Sequence, residues 1–306
     1  MLQNRWRHKV MLILAIACVA TATFATTAEP AAANRDRGRL NCSGGRNPID
    51  LFSLILGQRL TVIGLTEDQR LICFRESKPN DATDIGQVTG LNTDGSLVGI
   101  DFRPANNALY GVGNAGGIYT INTSDATATK VAQLSIALNG TSFGVDVNPA
   151  ADALRIVSDT GQNLRFSFTA GTTTTDGTLT YPPDTAPASG ITGAAYTNND
   201  ADPNTATTLF DIDSTLDQVA IQSPANSGQL VPTGKLTGDT NALVGFDIYS
   251  TVRGGTTTDL RALASLTVDG QAHLYRITLF TGKASLQGIF SAQNQVIDIA
   301  IPLNQL

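Results

Sequence analysis

From Leu60 onward, short apolar runs alternate residue by residue with polar positions and are cut repeatedly by Pro, Gly, Asn and Asp. Alternation of this kind is the signature of strands with one face buried, and no long stretch keeps the 3.6-residue period of an amphipathic helix. Strands are therefore predicted throughout, with tight connections between them.

One strand recurs. It reads "VGIDFRP" at 98–104, "FGVDVNP" at 143–149, "TGAAYTN" at 192–198, "VGFDIYS" at 244–250 and "VIDIAIP" at 296–302. With Asp101, Asp146, Ala195, Asp247 and Asp298 taken as equivalent, the spacings are 45, 49, 52 and 51 residues. Periods of this size belong to propeller blades, solenoids or arrays. The interior of each unit repeats as well. "RPAN", "ALYGVG", "NAGG", "IYTIN" and "KVAQL" in one unit are matched by "NPAA", "ALRIVS", "DTGQ", "LRFSF" and "GTLTY" in the next. The last full unit places Asp269-Gly270 between "LRALASLT" and "AHLYRITL", a strong hairpin signal. Four antiparallel strands in about 50 residues make a propeller blade.

The ends of the chain complement each other. The unit at Leu60 has "LTVIGLT", "RLICF" and "DIGQVT" but no opening strand, and "VIDIAIP" near the C-terminus is the missing piece. Pairing the two closes a ring and leaves no exposed edge between first and last units. The fold expected is an all-β, five-bladed propeller of four-stranded blades over residues 58–306, closed by the C-terminal strand.

The motif of glycine, an apolar residue and aspartate, followed by a proline turn, resembles the domain-of-unknown-function family 4394, a group of exported bacterial repeat proteins. "LVGIDFRPANNALYGVG" and "FGVDVNPAADALRIVS" carry the resemblance, which runs from about Leu60 to Leu303. It implies a propeller-like architecture and export, and it brings no catalytic residues. The third copy, "TGAAYTNNDADPN", departs by placing Ala195 where the others have aspartate and by lengthening the connection.

The start of the chain modifies this picture. Arg5, Arg7, His8 and Lys9 precede the apolar run "VMLILAIACVA" and the small residues of "TATFATTA". That is the order of a secretory signal peptide over residues 1–28, and the apolar run is too short for a membrane span. A lipoprotein attached through Cys18 is the minor alternative. Residues 29–57 read as a flexible lead-in ending in a short docking segment, "IDLFSLILG". Removing 1–28 takes three basic residues and no acidic ones, so 17 Lys and Arg remain against 26 Asp and Glu, a balance of −9. Such a charge disfavours nucleic acid and anionic membrane surfaces. The location expected is secreted or periplasmic, where Cys42 and Cys73 should form a disulfide worth ~3 kcal/mol through loop closure.

Candidate chemistry is sparse. "GTSFG" at 140–144 matches a nucleophile elbow, but Ser142 leads into a strand rather than a strand–turn–helix, and His273 is the single histidine after residue 28. Asp211 and Asp213, two apart in "LFDIDSTLD", face one side of a strand; paired carboxylates suit calcium binding or divided acid and base roles, but the favoured reading is a strand running out into a turn, where Asp satisfies backbone amides. The repeated row Asp101, Asp146, Asp247 and Asp298 should line the axis. Its carboxylates have three uses: accepting amides of the next blade, pairing with a basic residue such as Arg103, or coordinating a cation, with calcium the natural candidate. The first is favoured, and no cofactor is required. The function expected is a non-catalytic binding or scaffold module for an extracytoplasmic glycan, peptide or protein. A carboxylate-based glycoside hydrolase or lyase is the alternative.

Overall fold

The computed structural model describes Cys42 and residues 59–305. The expected signal peptide and docking segment lie outside them.

Five four-stranded antiparallel sheets form the blades. The first contains β1 (Thr61–Thr66), β2 (Arg70–Arg75) and β3 (Lys78–Gln87). The second runs β4 (Leu97–Arg103), β5 (Ala108–Gly113), β6 (Gly117–Ile121) and β7 (Ala128–Gln133). The third is β8 (Phe143–Asn148), β9 (Ala153–Ser158), β10 (Asn163–Ser167) and β11 (Thr172–Thr175). The fourth is β12 (Ile191–Tyr196), β13 (Leu209–Asp213), β14 (Gln218–Gln222) and β15 (Leu230–Lys235). The fifth is β16 (Val244–Arg253), β17 (Thr256–Val268), β18 (Gln271–Ile277) and β19 (Ala284–Ile289). The final strand, β20 (Val296–Ala300), joins the first blade by pairing with β1, Ile63 opposite Ala300 and Leu65 opposite Asp298. The ring closes as the two ends of the sequence predicted.

Strand alternation sends apolar side chains from both faces of each blade into its neighbours. The result is five inter-blade cores rather than one centre. Ile63 meets Ile100 between blades one and two, Tyr110 meets Val145 between two and three, and Val157 meets Ala194 between three and four. Phe210 packs with Phe246 between four and five, and Val62 with Leu263 between five and one. The innermost strands β20, β4, β8, β12 and β16 pack side by side around the axis.

That close approach explains the glycine of the repeated motif. A Cβ on Gly144 would stand 2.6 Å from the Ala194 backbone nitrogen, and one on Gly245 2.6 Å from the Asp298 Cα. Both distances are far inside van der Waals contact, so any larger residue would push the inner strands apart.

One strand assignment needs correction. "GTLTY" was expected to be the outer strand of the third blade, but Thr172–Thr175 takes that place against β10. The chain turns back early through Gly171 (φ 65°), so the threonine run reaches β10 first. Residues 177–181 instead bridge to the fourth blade, where Thr180 pairs with Gln229.

Two further fastenings hold the first blade. Cys42 is bonded to Cys73 of β2, with Cα atoms 6.0 Å apart, inside the range a disulfide spans without backbone movement. Gln305 clamps the ring seam: its Oε1 accepts the Thr61 amide at 2.8 Å, and its Nε2 donates to the Thr61 carbonyl at 2.9 Å. Its own amide donates to the Tyr249 hydroxyl of the fifth blade at 2.8 Å.

Candidate site on the propeller axis

The four repeated aspartates all lie on innermost strands and are buried, 3–6% exposed. Each accepts a backbone N–H from the next blade around the ring. Asp298 Oδ2 takes Ile100 N at 2.7 Å, Asp101 Oδ2 takes Val147 N at 2.8 Å, and Asp146 Oδ1 takes Tyr196 N at 3.1 Å. Asp247 Oδ2 takes Ile301 N, just beyond β20, at 2.5 Å. In three of the four the second oxygen holds the amide of the residue that follows: Phe102, Ile248 and Ile299. Asp146 Oδ2 accepts no hydrogen bond from the described residues.

Ala195 breaks the series between the fourth and fifth blades. There the lengthened connection of the third copy supplies the tie. Asn199 Oδ1 accepts Ser250 N at 3.0 Å, the Ser250 hydroxyl accepts Asn198 N at 2.7 Å, and Thr257 donates to Asn198. The departure from the motif thus carries its own replacement.

Carboxylates gathered and buried near one another resist ionisation. Burial, followed by the charge of Asp247, raises Asp101 well above the usual carboxylate range. Burial, then Asp101 and Asp247, does the same to Asp146. Burial raises Asp298 well above its ordinary value and Asp247 to about 7, with the amide donors opposing it in both. Arg103, a basic partner weighed for this row, turns away from it. Its guanidinium grips Asp152 with Nε at 2.7 Å and Nη2 at 2.5 Å, and stacks over Phe168 with 4.2 Å to the ring centre.

The pair on β13 divides. Asp213 behaves as a turn residue: Oδ1 accepts the Thr215 and Leu216 amides at 3.0 and 2.9 Å, and Oδ2 accepts the Tyr181 hydroxyl at 2.8 Å. Asp211 does not. It is fully buried, neither oxygen has a hydrogen bond, and burial raises its pKa well above the ordinary value although Arg155 opposes this. Arg155, itself 1% exposed, spends its donors on Tyr196 (3.2 Å), Asn163 (2.6 Å), Asp176 (2.7 Å) and Asn226 (2.7 Å). These partners stitch the third blade to the fourth. Sequence reading missed them because they lie as far as 71 residues from Arg155.

No hydrolytic constellation assembles among the described residues. Ser142 precedes β8 in the third blade, whereas His273 lies on β18 of the fifth, its Nδ1 3.3 Å from the Tyr275 hydroxyl. A cavity of about 360 Å³ is lined by Thr120, Asn122, Asp125 and Thr129, and one of about 110 Å³ by Asn199, Asp200, Tyr249 and Ser250. Each contains one carboxylate, not the pair that glycosidic acid–base work needs.

A family profile described as "Domain of unknown function (DUF4394)" matches residues 70–300. No curated protein matches the chain. Among solved structures it is similar to a structural genomics protein of unknown function from Bacteroides thetaiotaomicron (12% identity, TM-score 0.46), covering 76% of this chain and 55% of that one. The chain thus spans just over half of that protein's length. Glutaminyl cyclase of Myxococcus xanthus is similar at 13% identity and TM-score 0.35, with 67% and 69% covered. An auxiliary nutrient binding protein from Bacteroides ovatus shows 10% identity and TM-score 0.37, with 56% and 46% covered.

Proposed function

Because the chain belongs to the family described as "Domain of unknown function (DUF4394)", a description that assigns no activity, we propose from its geometry that it is an exported, non-catalytic propeller serving as a binding or scaffold module. One observation carries this reading. The conspicuous carboxylates of the molecule are buried on the axis and engaged by backbone amides, so they hold blades together instead of facing a substrate. A glycosidase or lyase needs two carboxyl groups in one open pocket with environments that separate their roles. Recognition then falls to the loops at the ends of the blades, where a rigid ring presents variable connections such as 198–208. Export is supported by the basic, apolar and small-residue order of residues 1–28 and by the Cys42–Cys73 bond. No helix among the described residues is long and apolar enough to cross a membrane.

The test is thermal unfolding against a panel of glycans and peptides, run beside hydrolysis and elimination assays on the same glycans. Binding to the native state raises the melting temperature by mass action. The expected result is a shift with at least one ligand and no turnover. Turnover of any of these substrates would overturn the reading.

A further inference from the structure

At one end of the ring the repeat is broken on two neighbouring blades. The turns that follow the innermost strands β4 and β8 are residues 104–107 and 149–152, whereas after β12 the same connection runs over 197–208. In the fifth blade β16 and β17 extend to 10 and 13 residues before the chain turns at Gly254 and Gly255. These two extensions and the tail after β20 meet around the cavity of about 110 Å³, whose lining includes Asn199, Asp200, Val252, Leu303 and Asn304. Its walls are tied together without a ligand: Ser250 N donates to Asn199 Oδ1 at 3.0 Å, and Gln305 N donates to the Tyr249 hydroxyl at 2.8 Å. Polar groups are left over at the lining. Asn199 Nδ2 and the side-chain amide of Asn304 make no hydrogen bond among the described residues, and Asn304 is exposed although its neighbours Leu303 and Gln305 are buried. The cavity of about 360 Å³ lacks these features, since one hairpin of the second blade forms it and its Asn122 and Asp125 are spent on their own turn.

Within the binding-module function proposed for the chain, on which this inference rests, we propose that the cavity holds one neutral sugar ring. No lysine, arginine or histidine is among the described residues lining it, so phosphate, sulfate and carboxylate ligands meet no counter-charge. Its one carboxylate, Asp200, already accepts the Asp202 amide at 3.1 Å and the Thr205 hydroxyl at 2.9 Å, which sets it as an oriented acceptor rather than the counter-ion of an amine. Each of its oxygens keeps a second lone pair. A sugar hydroxyl both donates and accepts, and neighbouring hydroxyls match what the lining offers: N–H donors on Asn199 and Asn304, and acceptors on Asp200 and Asn304. Val252 and Leu303 supply apolar surface for the C–H face of the ring. The volume is well below the ~300–1,000 Å³ that encloses a drug-sized ligand, so the site takes a terminal ring and leaves the rest of a glycan in solvent. With a single carboxylate the cavity holds the ring without cleaving it.

The experiment titrates the purified, isotope-labelled chain with methyl glycosides of neutral hexoses and N-acetylhexosamines, beside triglycine and sulfate. Affinity is read by calorimetry and position by the side-chain amide resonances of Asn199 and Asn304. At least one glycoside should bind saturably, one per chain, and shift both resonances, while sulfate does not bind. Two variants keep the scaffold. Asn199→Asp retains the oxygen that accepts Ser250 N and loses the free donor. Asn304→Gly removes the amide and suits the left-handed backbone there, φ 60°. Each should melt within a few degrees of the parent and bind the glycoside roughly threefold to tenfold more weakly, the worth of one neutral hydrogen bond. A glycoside that binds both variants like the parent, or leaves the two resonances unmoved, would overturn the sugar site while the binding-module function stands. Binding of triglycine or sulfate with no glycoside bound would do the same, and turnover of a glycoside would overturn both. If either variant fails to fold, the parent's resonances decide.

Discussion

Deleting residues 293–306 should abolish folding, and the size of the effect follows from what those residues bury. Val296, Ile299, Ile301 and Leu303 are each 0–4% exposed and pack mainly in the core between the fifth and first blades. At about 1.5–3 kcal/mol per buried side chain, their loss removes roughly 6–12 kcal/mol. The deletion also strips β20 from β1, takes the Asp298 Oδ2 acceptor away from the Ile100 amide, and leaves Thr61 without Gln305. A domain is stable by only about 5–15 kcal/mol in total, so the sum is comparable with the whole. Expression followed by size exclusion and circular dichroism should find aggregate or a molten chain. A graded version is Gln305→Ala, which orphans the buried Thr61 amide and carbonyl and should cost about 2–4 kcal/mol. A truncated chain that remains monomeric, with the melting temperature of the parent, would refute the closed-ring reasoning.

Three further predictions rest on single sites. Asp211→Asn removes no hydrogen bond and abolishes a carboxylate whose folded pKa is raised. The native state therefore holds its proton above the unfolded value, and this stability is present below about pH 4 and lost as pH rises. The variant should melt higher than the parent at pH 7 and close to it at pH 4.5; a lower melting temperature at both would disprove the sign. Reduction of Cys42–Cys73, or Cys42→Ser, should cost ~3 kcal/mol and lower the melting temperature by several degrees, whereas an unchanged transition would show that the bond contributes nothing. Arg155→Met leaves Asp176 facing only Arg165 and removes the donors to Asn163, Asn226 and Tyr196, so chemical denaturation should report a loss of about 3–5 kcal/mol. A loss below about 1 kcal/mol would show that this network is not a fastening between blades.

The architecture was legible because the physical demand repeats. Four of the five inner strands carry a glycine where neighbouring strands nearly touch (Gly99, Gly144, Gly193 and Gly245), and four carry an aspartate that ties one inner strand to the next, so the motif recurs at the blade period. Asp269-Gly270 likewise marks its hairpin because both residues adopt positive φ, 51° and 78°. What sequence reading missed is what happens only once. Asn198 and Asn199 replace the carboxylate absent at Ala195 through a fifth-blade serine and threonine that no spacing rule points to. Gln305 finds Thr61 across 244 residues. Alternation placed Asp211 and Asp213 on one face, but only the fold shows that the first is buried without a donor and the second sits over a turn. The inner-strand placement of Asp101, Asp146, Asp247 and Asp298 follows from the repeated strand, whereas the outward turn of Arg103 to Asp152 depends on a partner in the next blade.

The claim that each axial aspartate fastens its blade to the next is tested most directly by amide hydrogen exchange in Asp101→Ala. The fourth blade already carries alanine at the equivalent position, so the side chain fits. The substitution removes the acceptor of Val147 N in a different blade while leaving the β8–β9 pairing of Val147 with Leu154 in place. Losing a buried acceptor worth about 1–3 kcal/mol should speed exchange at Val147 by roughly tenfold to a hundredfold. Outer-strand amides of β11 should keep their parental rates. Parental exchange at Val147, in a variant that melts like the parent, would contradict the account.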